Sequence, residues 1–206
     1  MPQPRIPLEP GLMYHIWTHA NGNENLFRSD ENYRYFLEKY ALHVYPVVET
    51  FAYCLMPNHI HLMVRVREEE EVLAFLRLKK PNLQGFQNLG GLISQQFSNL
   101  FNAYSKAYNK KYNRKGSLFI PNFNRKLIQS EAYFTRLITY IHNNPVYHGF
   151  VKDVNDWPHS SWHAYVLDKS TKINKTEGLK WFGGREAFEA LHLELQQEKL
   201  VSLFEE

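Results

Sequence analysis

Two histidines separated by one residue, His59 and His61, are the most distinctive chemical feature of the sequence. They lie in the segment Leu-Met-Pro-Asn-His-Ile-His-Leu-Met-Val-Arg, from 55 to 65, whose residue pattern predicts a β-strand. Because side chains of a strand point alternately to opposite faces, both imidazoles should share one face while Ile60 and Leu62 enter the core. Imidazole is a common metal ligand, so the pair predicts half of a metal site.

A second motif, Tyr-Ile-His-Asn-Asn-Pro, begins at Tyr140 and closes an apparent helix. Ser130 is the expected N-cap of this helix, and apolar residues recur after it at helical spacing. Pro145 is expected to end the helix at or just before Asn144. Tyr140 and Asn144 are four residues apart and therefore neighbours, with Arg136 one turn earlier. A phenol, an amide oxygen and a guanidinium are thus presented together.

The two motifs together resemble those of the REP-associated tyrosine transposases. The strand motif is Pro-Asn-His-Ile-His-Leu, from 57 to 62, and the helix motif is Tyr-Ile-His-Asn-Asn-Pro-Val, from 140 to 146. Segments 114–119 and 156–161 also resemble stretches of that family, and the likeness covers residues 12–168. The family is part of a wider group of single-strand transposases that have a His-hydrophobe-His motif and one catalytic tyrosine.

The resemblance implies a role for four residues. His59 and His61 would bind a divalent metal, Asn144 would be the third ligand, and Tyr140 would be the nucleophile. In related insertion-sequence enzymes a glutamine stands where Asn144 stands here, and the shorter amide offers the same oxygen with less reach. Such a nitrogen and oxygen set suits Mg²⁺ or Mn²⁺, and ligand type alone also admits zinc. A structural zinc site is not expected, because Cys54 is the only cysteine.

The chemistry expected of Tyr140 is phosphoryl transfer. A free phenol has a pKa near ~10 and is a poor nucleophile at neutral pH. A nearby metal ion and Arg136 would favour the phenolate, because positive charge stabilises the ionised form. Attack on a phosphodiester would leave a covalent phosphotyrosine and a free 3′-hydroxyl. A later attack by another 3′-hydroxyl would rejoin DNA, which is strand transfer rather than hydrolysis.

Positive charge is concentrated in one part of the chain. From 72 to 130 there is no Asp or Glu and there are ten basic residues, although the formal net charge of the whole chain is only +3. The rest of the chain holds the other 14 of the 24 basic residues and all 21 acidic residues. A long acid-free stretch predicts polyanion binding, and a solvated helix face is the alternative.

The expected DNA contacts lie within that stretch. Residues 94–112 predict an amphipathic helix with an aromatic core face, followed by a basic turn and a strand. Tyr112 and Phe123 are candidates to stack on unpaired bases, if they are not buried. The predicted DNA-binding residues are Lys106, Lys110, Lys111, Arg114, Lys115, Arg125 and Lys126.

The elements that must position these residues follow the order β-α-β-β-α-β-α. The sequence patterns predict strands at 13–20, 49–55, 59–67 and 117–129, and helices at 29–44, 94–112 and 130–144. A further helix is expected to begin at the acidic run 68–71, and a loop at 80–91. The fold class is therefore α+β, a ferredoxin-like antiparallel sheet with helices on one face. The resemblance implies the same fold.

The chain divides into a predicted catalytic domain, 1–168, and a small C-terminal helical extension, 169–206. No run of about twenty apolar residues exists, and the first residues lack a signal-peptide core, so a cytoplasmic protein is expected. His15 and His19 alternate on the first predicted strand and could line the same surface as His59 and His61, but satisfied polar groups are the favoured interpretation.

The function most consistent with these features is metal-dependent nicking and strand transfer on single-stranded or hairpin DNA, by a monomer or a homodimer. Two alternatives stay open. One is a domesticated hairpin-DNA-binding protein that no longer moves DNA. The other is a nucleic-acid-binding regulator whose histidine pair is structural. A replication or conjugation initiator with the same site is disfavoured, since such enzymes share only the histidine motif with this chain.

Overall fold

A four-stranded antiparallel sheet organises the chain. The computed structural model describes residues 6–79 and 88–198. The strands are β1 (Met13–His19), β2 (Val48–Leu55), β3 (His59–Val66) and β4 (Asn124–Leu127). They pair in the order β2-β3-β1-β4, which is that of a ferredoxin-like sheet, and the predicted fold class is confirmed. Only the second half of the predicted strand at 117–129 joins the ladder, while Phe119 bridges to Ala20 just beyond β1.

Seven α-helices surround the sheet in the described part of the chain. They are α1 (Asp30–His43), α2 (Glu69–Lys79), α3 (Leu89–Lys111), α4 (Glu131–Tyr147), α5 (Trp162–Val166), α6 (Lys175–Phe182) and α7 (Arg185–Glu198). Side-chain caps begin two of the long helices, because Asn88 accepts from the Gly91 N–H and Ser130 accepts from the Tyr133 N–H. The predicted N-cap Ser130 is thereby confirmed.

Each face of the sheet has its own core. Ile16, Ile60 and Leu62 point to the face covered by α1 and α3, as the alternation predicted. The opposite face carries Met63 and is covered by α4 and by the helices that follow it. The prediction of helices on one face therefore describes α1 and α3, and the structure adds α4 on the other face. This second layer lies against the face that carries His59 and His61.

The end of α4 differs from the sequence expectation. The helix does not stop before Pro145 but continues through it to Tyr147. Pro145 removes only one helical N–H, and the next turn restores the pattern, because the His148 N–H donates to the Asn144 carbonyl at 3.1 Å. Pro145 is also buried, so packing offsets the lost bond. The extra turn places His148 beside His59 of β3.

The C-terminal extension is held to α4 by a buried hydrogen-bond chain. The His192 Nδ1–H donates to the Phe188 carbonyl at 2.7 Å, so its Nε2 accepts from His142 Nδ1 at 2.9 Å. The second nitrogen of His142 then accepts from the Ser161 hydroxyl at 2.7 Å. Asn143 also donates to the His192 carbonyl at 2.9 Å. The helix that carries Tyr140 and the extension therefore share one polar network inside an apolar core.

The predicted loop at 80–91 lies outside the described residues except at its end, where α3 begins at Leu89. Lys80 lies in that undescribed segment. Among the helices that the structure describes, none combines the length and the apolar character needed to cross a bilayer.

The burial of His192 predicts that acid destabilises the fold. Burial lowers the pKa of His192 from 6.5 to about 3. Below pH 6.5 this side chain therefore takes up a proton in the unfolded chain but stays neutral in the folded chain. Its contribution to the free energy of unfolding is complete above pH 6.5 and is lost as the pH falls. At pH 5 this one group lowers the free energy of unfolding by about 2 kcal/mol.

Urea unfolding of the wild type and of His192→Gln at pH 7 and pH 5 measures this contribution. Between pH 7 and pH 5 the free energy of unfolding should fall by about 2 kcal/mol less in the variant than in the wild type. His163→Gln, which changes a half-buried histidine of α5, serves as the control and should keep the wild-type difference. An unchanged pH difference in His192→Gln would refute the assignment.

Candidate active site

The structure brings together the residues of the two motifs. Strand β3 supplies His59 and His61, and α4 supplies Asn144 and Tyr140 from the layer packed on the same face. His59 Nε2 lies 2.9 Å from Asn144 Oδ1, and the rings of His61 and Tyr140 meet edge to face with centroids 5.4 Å apart. The predicted grouping of these four side chains is therefore present. What each does chemically stays a prediction.

His59 is held between two amide oxygens. Its Nδ1 lies 2.8 Å from Asn58 Oδ1, so Nδ1 carries the hydrogen and Nε2 has a lone pair. That lone pair faces Asn144 Oδ1, which is also an acceptor. The buried Nδ2 of Asn144 meanwhile has no hydrogen-bond partner among the described residues. A cation shared by Nε2 and Oδ1 resolves the conflict between two acceptors, and so does a half-turn of the amide.

His61 has an orienting partner that sequence analysis undervalued. Its Nδ1 lies 3.0 Å from His15 Nε2, and both rings are almost fully buried. If the His61 Nδ1–H donates to His15, the other nitrogen of His61 keeps its lone pair for a metal. Second-shell hydrogen bonds of this kind fix the orientation of a ligating imidazole. The favoured interpretation of His15 as a satisfied polar group is correct, and the group that satisfies it is the candidate ligand itself.

Two exposed histidines flank His59. His19 stacks on it with ring centroids 5.0 Å apart, and His148 meets it at 5.0 Å from the end of α4. His19 stands directly opposite His59 in the β1–β3 ladder. The alternation of β1 was a usable signal for His19. No sequence signal pointed to His148, because Pro145 was expected to end the helix before it.

Tyr140 lies deep in the cluster. Its ring packs edge-on against His61 and, at 6.4 Å, against His15, and lies roughly parallel to Tyr147 at 6.2 Å. The side chain has no exposed surface. The described members of the cluster that are exposed are His19 and His148, so the cluster meets solvent on the side of these two histidines.

Burial keeps the inner histidines neutral. Desolvation lowers the pKa of His59 to about 4, with His19 and His148 contributing repulsion and the Asn144 contact opposing it. Burial likewise lowers the pKa of His15 to about 3 and holds that of His61 well below its usual value. Neutral imidazole is the form that ligates metal, so the inner rings are ready to bind at neutral pH.

Arg136 lies on the surface of α4. Its side chain is exposed, whereas Tyr140 is buried one turn later. Four residues turn a helix by more than one full revolution, so each such step shifts the side chain by about 40°. The row from Arg136 through Tyr140 and Asn144 to His148 therefore winds around the helix. Among the described residues Arg136 makes no hydrogen bond or ring contact with the histidines, and its catalytic role stays a prediction.

Two of the predicted DNA-binding residues are engaged by acidic side chains. Lys111 Nζ lies 2.6 Å from a carboxylate oxygen of Glu31, and Arg114 Nε lies 2.9 Å from Glu24. Arg114 also donates to the Ser117 carbonyl at 3.0 Å. The acidic partners come from the region of α1, so carboxylates from another part of the chain lie beside the basic segment in the folded structure. Lys111 and Arg114 therefore help to hold the fold together through these ion pairs.

The remaining predicted DNA-binding residues lie on α3, in the turn after it and on β4. Lys106, Lys110 and Lys115 are exposed. Arg125 is half-buried and donates to the Ser94 hydroxyl at 2.7 Å, and Lys126 lies 5.7 Å from the centre of the Tyr133 ring. Of the two aromatic candidates, Phe123 is buried, and the Tyr112 hydroxyl donates to Asn32.

The donor set fits a divalent metal. Two ligand atoms that lie at right angles around an ion, each about 2.1 Å from it, are about 3 Å from each other. The distance between His59 Nε2 and Asn144 Oδ1 is 2.9 Å, which matches that separation. Within the described residues, no group of three or more His, Cys, Asp or Glu side chains could hold an ion. The mixed set of His59, His61 and the Asn144 amide stays a prediction, and the His59–Asn144 separation is compatible with it.

Comparison of sequences identifies two relatives. A protein of Haemophilus influenzae assigned as a REP-associated tyrosine transposase is 32% identical over 118 residues, which is 57% of this chain and 61% of the relative. The REP-associated tyrosine transposase of Escherichia coli is 38% identical over 50 residues, 24% of this chain and 30% of the relative. The matches thus span less than two thirds of either relative. The resemblance inferred from the motifs is confirmed.

Comparison of structures supports the fold. A REP-associated tyrosine transposase solved with a REP hairpin superimposes with a TM-score of 0.58, at 19% identity, over 81% of this chain and 86% of the other. At that identity the likeness concerns the fold. No family model matches the chain.

Metal titration tests the candidate ligand set without any DNA. His59→Ala and Asn144→Ala should each weaken Mn²⁺ binding by about tenfold or more in isothermal titration calorimetry, because each removes one donor. His15→Phe should weaken it by about 10–100-fold through loss of the orienting bond. His163→Gln is the control and should bind as the wild type does. Equal Mn²⁺ affinity in the wild type, His59→Ala and Asn144→Ala would exclude this site.

Proposed function

We propose that this chain, a relative of the REP-associated tyrosine transposases, nicks single-stranded or hairpin DNA and transfers the strand through a covalent bond to Tyr140. One observation carries the proposal above the others. A phenol, two neutral imidazoles and an amide oxygen from two separate elements converge in one cluster, and two exposed histidines, His19 and His148, flank His59 at its edge. A structural histidine pair would not require the phenol beside it.

The chemical step is a transesterification. The Tyr140 oxygen bonds to phosphorus, the bond from phosphorus to the 3′-oxygen breaks, and the phenolic proton ends on the released 3′-hydroxyl. Because the phosphate stays on the protein, a second 3′-hydroxyl can attack it and reform a phosphodiester. The Tyr140 side chain has no exposed surface, so strand binding must open the cluster before attack.

The inner residues hold the reacting groups in place. His59, His61 and Asn144 would hold a divalent ion, Mg²⁺ or Mn²⁺, beside the phenol. When bound, such an ion supplies Lewis-acid polarisation of a phosphodiester oxygen. His15 orients His61, and Asn58 fixes which nitrogen of His59 carries the hydrogen. The packing of α4 on the sheet keeps the phenol out of bulk water until a strand binds.

Affinity for DNA is proposed to come from the basic surface of α3 and the turns that follow. Lys106, Lys110 and Lys115 are exposed and available to phosphates. Lys111 and Arg114 would contact DNA only by exchanging their carboxylate partners, so we expect them to contribute less. Arg136 is exposed on α4 and would contact a phosphate on the strand that reaches Tyr140.

The full burial of Tyr140 favours a second candidate, a hairpin-DNA-binding protein that has lost transposition. In such a protein the phenol would stay packed against His61 as part of the core. The two candidates differ in one product, because only the first leaves a covalent adduct between the protein and DNA.

Adduct formation tests the nucleophile. Incubation with labelled single-stranded and hairpin oligonucleotides and Mn²⁺ should give an adduct that survives denaturing electrophoresis. Tyr140→Phe should abolish the adduct, because no other group supplies the attacking oxygen, and should keep DNA binding within about twofold. Tyr147→Phe removes a hydroxyl from the same helix and should still form adduct. An adduct in Tyr140→Phe would point to another nucleophile, and binding without any adduct would favour the second candidate.

The salt dependence of binding tests the basic surface. On single strands the slope of log affinity against log salt is about −0.7 per phosphate contact, so removing Lys106, Lys110 and Lys115 together should flatten it by about 2. Fluorescence anisotropy from 50 to 300 mM salt measures the slope. Lys180→Ala, an exposed lysine of α6, should leave it unchanged. A triple alanine variant with the wild-type slope would show that DNA binds elsewhere.

A further inference from the structure

The last two turns of α4 contact two different partners. Tyr140, Asn144 and His148 meet the histidines of β3. The polar side chains that lie between them in the sequence bond instead to α7 and to the segment before α5. Those side chains are His142, Asn143 and Tyr147. One stretch of helix is therefore fixed both to the sheet and to the C-terminal extension.

Three directed hydrogen bonds join α4 to α7. The His142 Nδ1–H donates to His192 Nε2 at 2.9 Å, and the Asn143 amide donates to the His192 carbonyl at 2.9 Å. The Tyr147 hydroxyl donates to the Leu195 carbonyl at 2.8 Å. Two of the three bonds therefore end on one residue, His192, which is only 1% exposed.

The direction of the bond between the two imidazoles is fixed at both ends. The His192 Nδ1–H donates to the Phe188 carbonyl of its own helix, which leaves Nε2 as the acceptor. The second nitrogen of His142 accepts from the Ser161 hydroxyl, which leaves Nδ1 as the donor. Each ring nitrogen thus has one partner of the opposite kind, and the network favours one orientation of each ring.

Directed bonds constrain α4 in a way that apolar packing does not. The His142 ring lies among Trp162, Tyr165 and Phe188, at centroid distances of 6.0, 5.6 and 5.9 Å. Burial against such rings is non-directional, so it tolerates a small rotation of the helix about its axis. The bonds to His192 oppose that rotation, because a hydrogen bond weakens steeply when it is bent.

A small rotation matters on the side of α4 that meets the sheet. Turning the helix by about 20° moves an atom about 5 Å from its axis by about 2 Å. Asn144 Oδ1 lies 2.9 Å from His59 Nε2, and the Tyr140 ring meets the His61 ring at 5.4 Å. A misplacement of about 1 Å can lower a reaction rate by about 100-fold. The rotation of α4 therefore decides whether the phenol and the amide oxygen reach the histidine pair.

We infer that His192 is a positioning residue for Tyr140 and Asn144. Through its bonds to His142 and Asn143 it fixes the rotation of α4 against the histidine strand. The inference rests on the proposed function and adds to it a residue of the C-terminal extension that lies outside both motifs. The extension is then part of the catalytic unit, although His192 touches neither the strand nor the metal.

A matched pair of substitutions at His192 tests the inference. His192→Leu removes both side-chain bonds at similar volume, whereas His192→Gln keeps an oxygen that can accept from His142. Single-turnover adduct formation at saturating DNA and Mn²⁺ should slow by about 100-fold in His192→Leu and by less than about threefold in His192→Gln. DNA affinity should stay within about twofold of the wild type in both variants, because the basic surface is unchanged.

Tyr165→Phe is the control for a general loss of stability. It removes a buried hydrogen bond of the same core, from the Tyr165 hydroxyl to the Phe51 carbonyl at 2.8 Å, and leaves the bonds between α4 and α7 in place. Its midpoint of thermal unfolding should fall as that of His192→Leu does, while its rate of adduct formation should equal that of the wild type. An equal loss of rate in Tyr165→Phe and His192→Leu would show that stability alone is responsible and would exclude a positioning role.

Nuclear magnetic resonance gives a measurement that needs neither DNA nor metal. The nuclear Overhauser effect between the ring protons of Tyr140 and His61 should be present in the wild type and in His192→Gln, and weakened in His192→Leu. Asn143→Ala removes the other bond to His192 and should weaken the same signal, so it carries the test if His192→Leu does not fold. Wild-type intensity in both His192→Leu and Asn143→Ala would overturn the inference.

These outcomes are separable from failure of the proposed function. If the wild type forms no adduct but the signal between Tyr140 and His61 weakens in His192→Leu, the enzyme assignment fails and His192 still positions the helix. If His192→Leu forms the Tyr140-dependent adduct at the wild-type rate, the enzyme assignment stands and His192 is not a positioning residue.

Discussion

The contact between His59 and Asn144 joins the two layers on which the candidate site depends. His59 belongs to the strand that carries the histidine pair, and Asn144 belongs to the helix packed across it, so their 2.9 Å separation fixes how that helix sits on the sheet. Tyr140, one turn earlier, is then carried against His61. The helix is held from behind by the network of His142, Ser161 and His192. Contacts on both sides of α4 therefore hold the helix in place beside the site.

Stability and function oppose each other inside this cluster. Each buried imidazole must stay neutral, which costs stability in acid, and neutral imidazole is also the form that the proposed ligands His59 and His61 would need to bind a metal. The Asn144 amide at His59 Nε2 can present its oxygen, which would favour a shared cation, or after a half-turn its N–H, which would donate a hydrogen bond to the ring.

Several features were predictable because they depend only on local periodicity. Strand alternation placed His59 and His61 on one face, and helical spacing made Tyr140 and Asn144 neighbours. Other features were not predictable. Pro145 lies inside α4 because packing outweighs a local preference, and this brings His148 to the site. Lys111 and Arg114 looked free in an acid-free segment, yet Glu24 and Glu31 reach them from a different part of the chain.

By itself, the sequence determined which chemical groups are available, the periodicity that orients them within each element, and the succession of strands and helices along the chain. Those properties follow from residue types a few positions apart. Only the tertiary structure decided that α4 covers the histidine face, that His15 and His19 join His59 and His61 across the β1–β3 ladder, and that His192 of α7 bonds to α4. Register and layer packing depend on contacts between distant residues, and those contacts are set by the shape of the whole core.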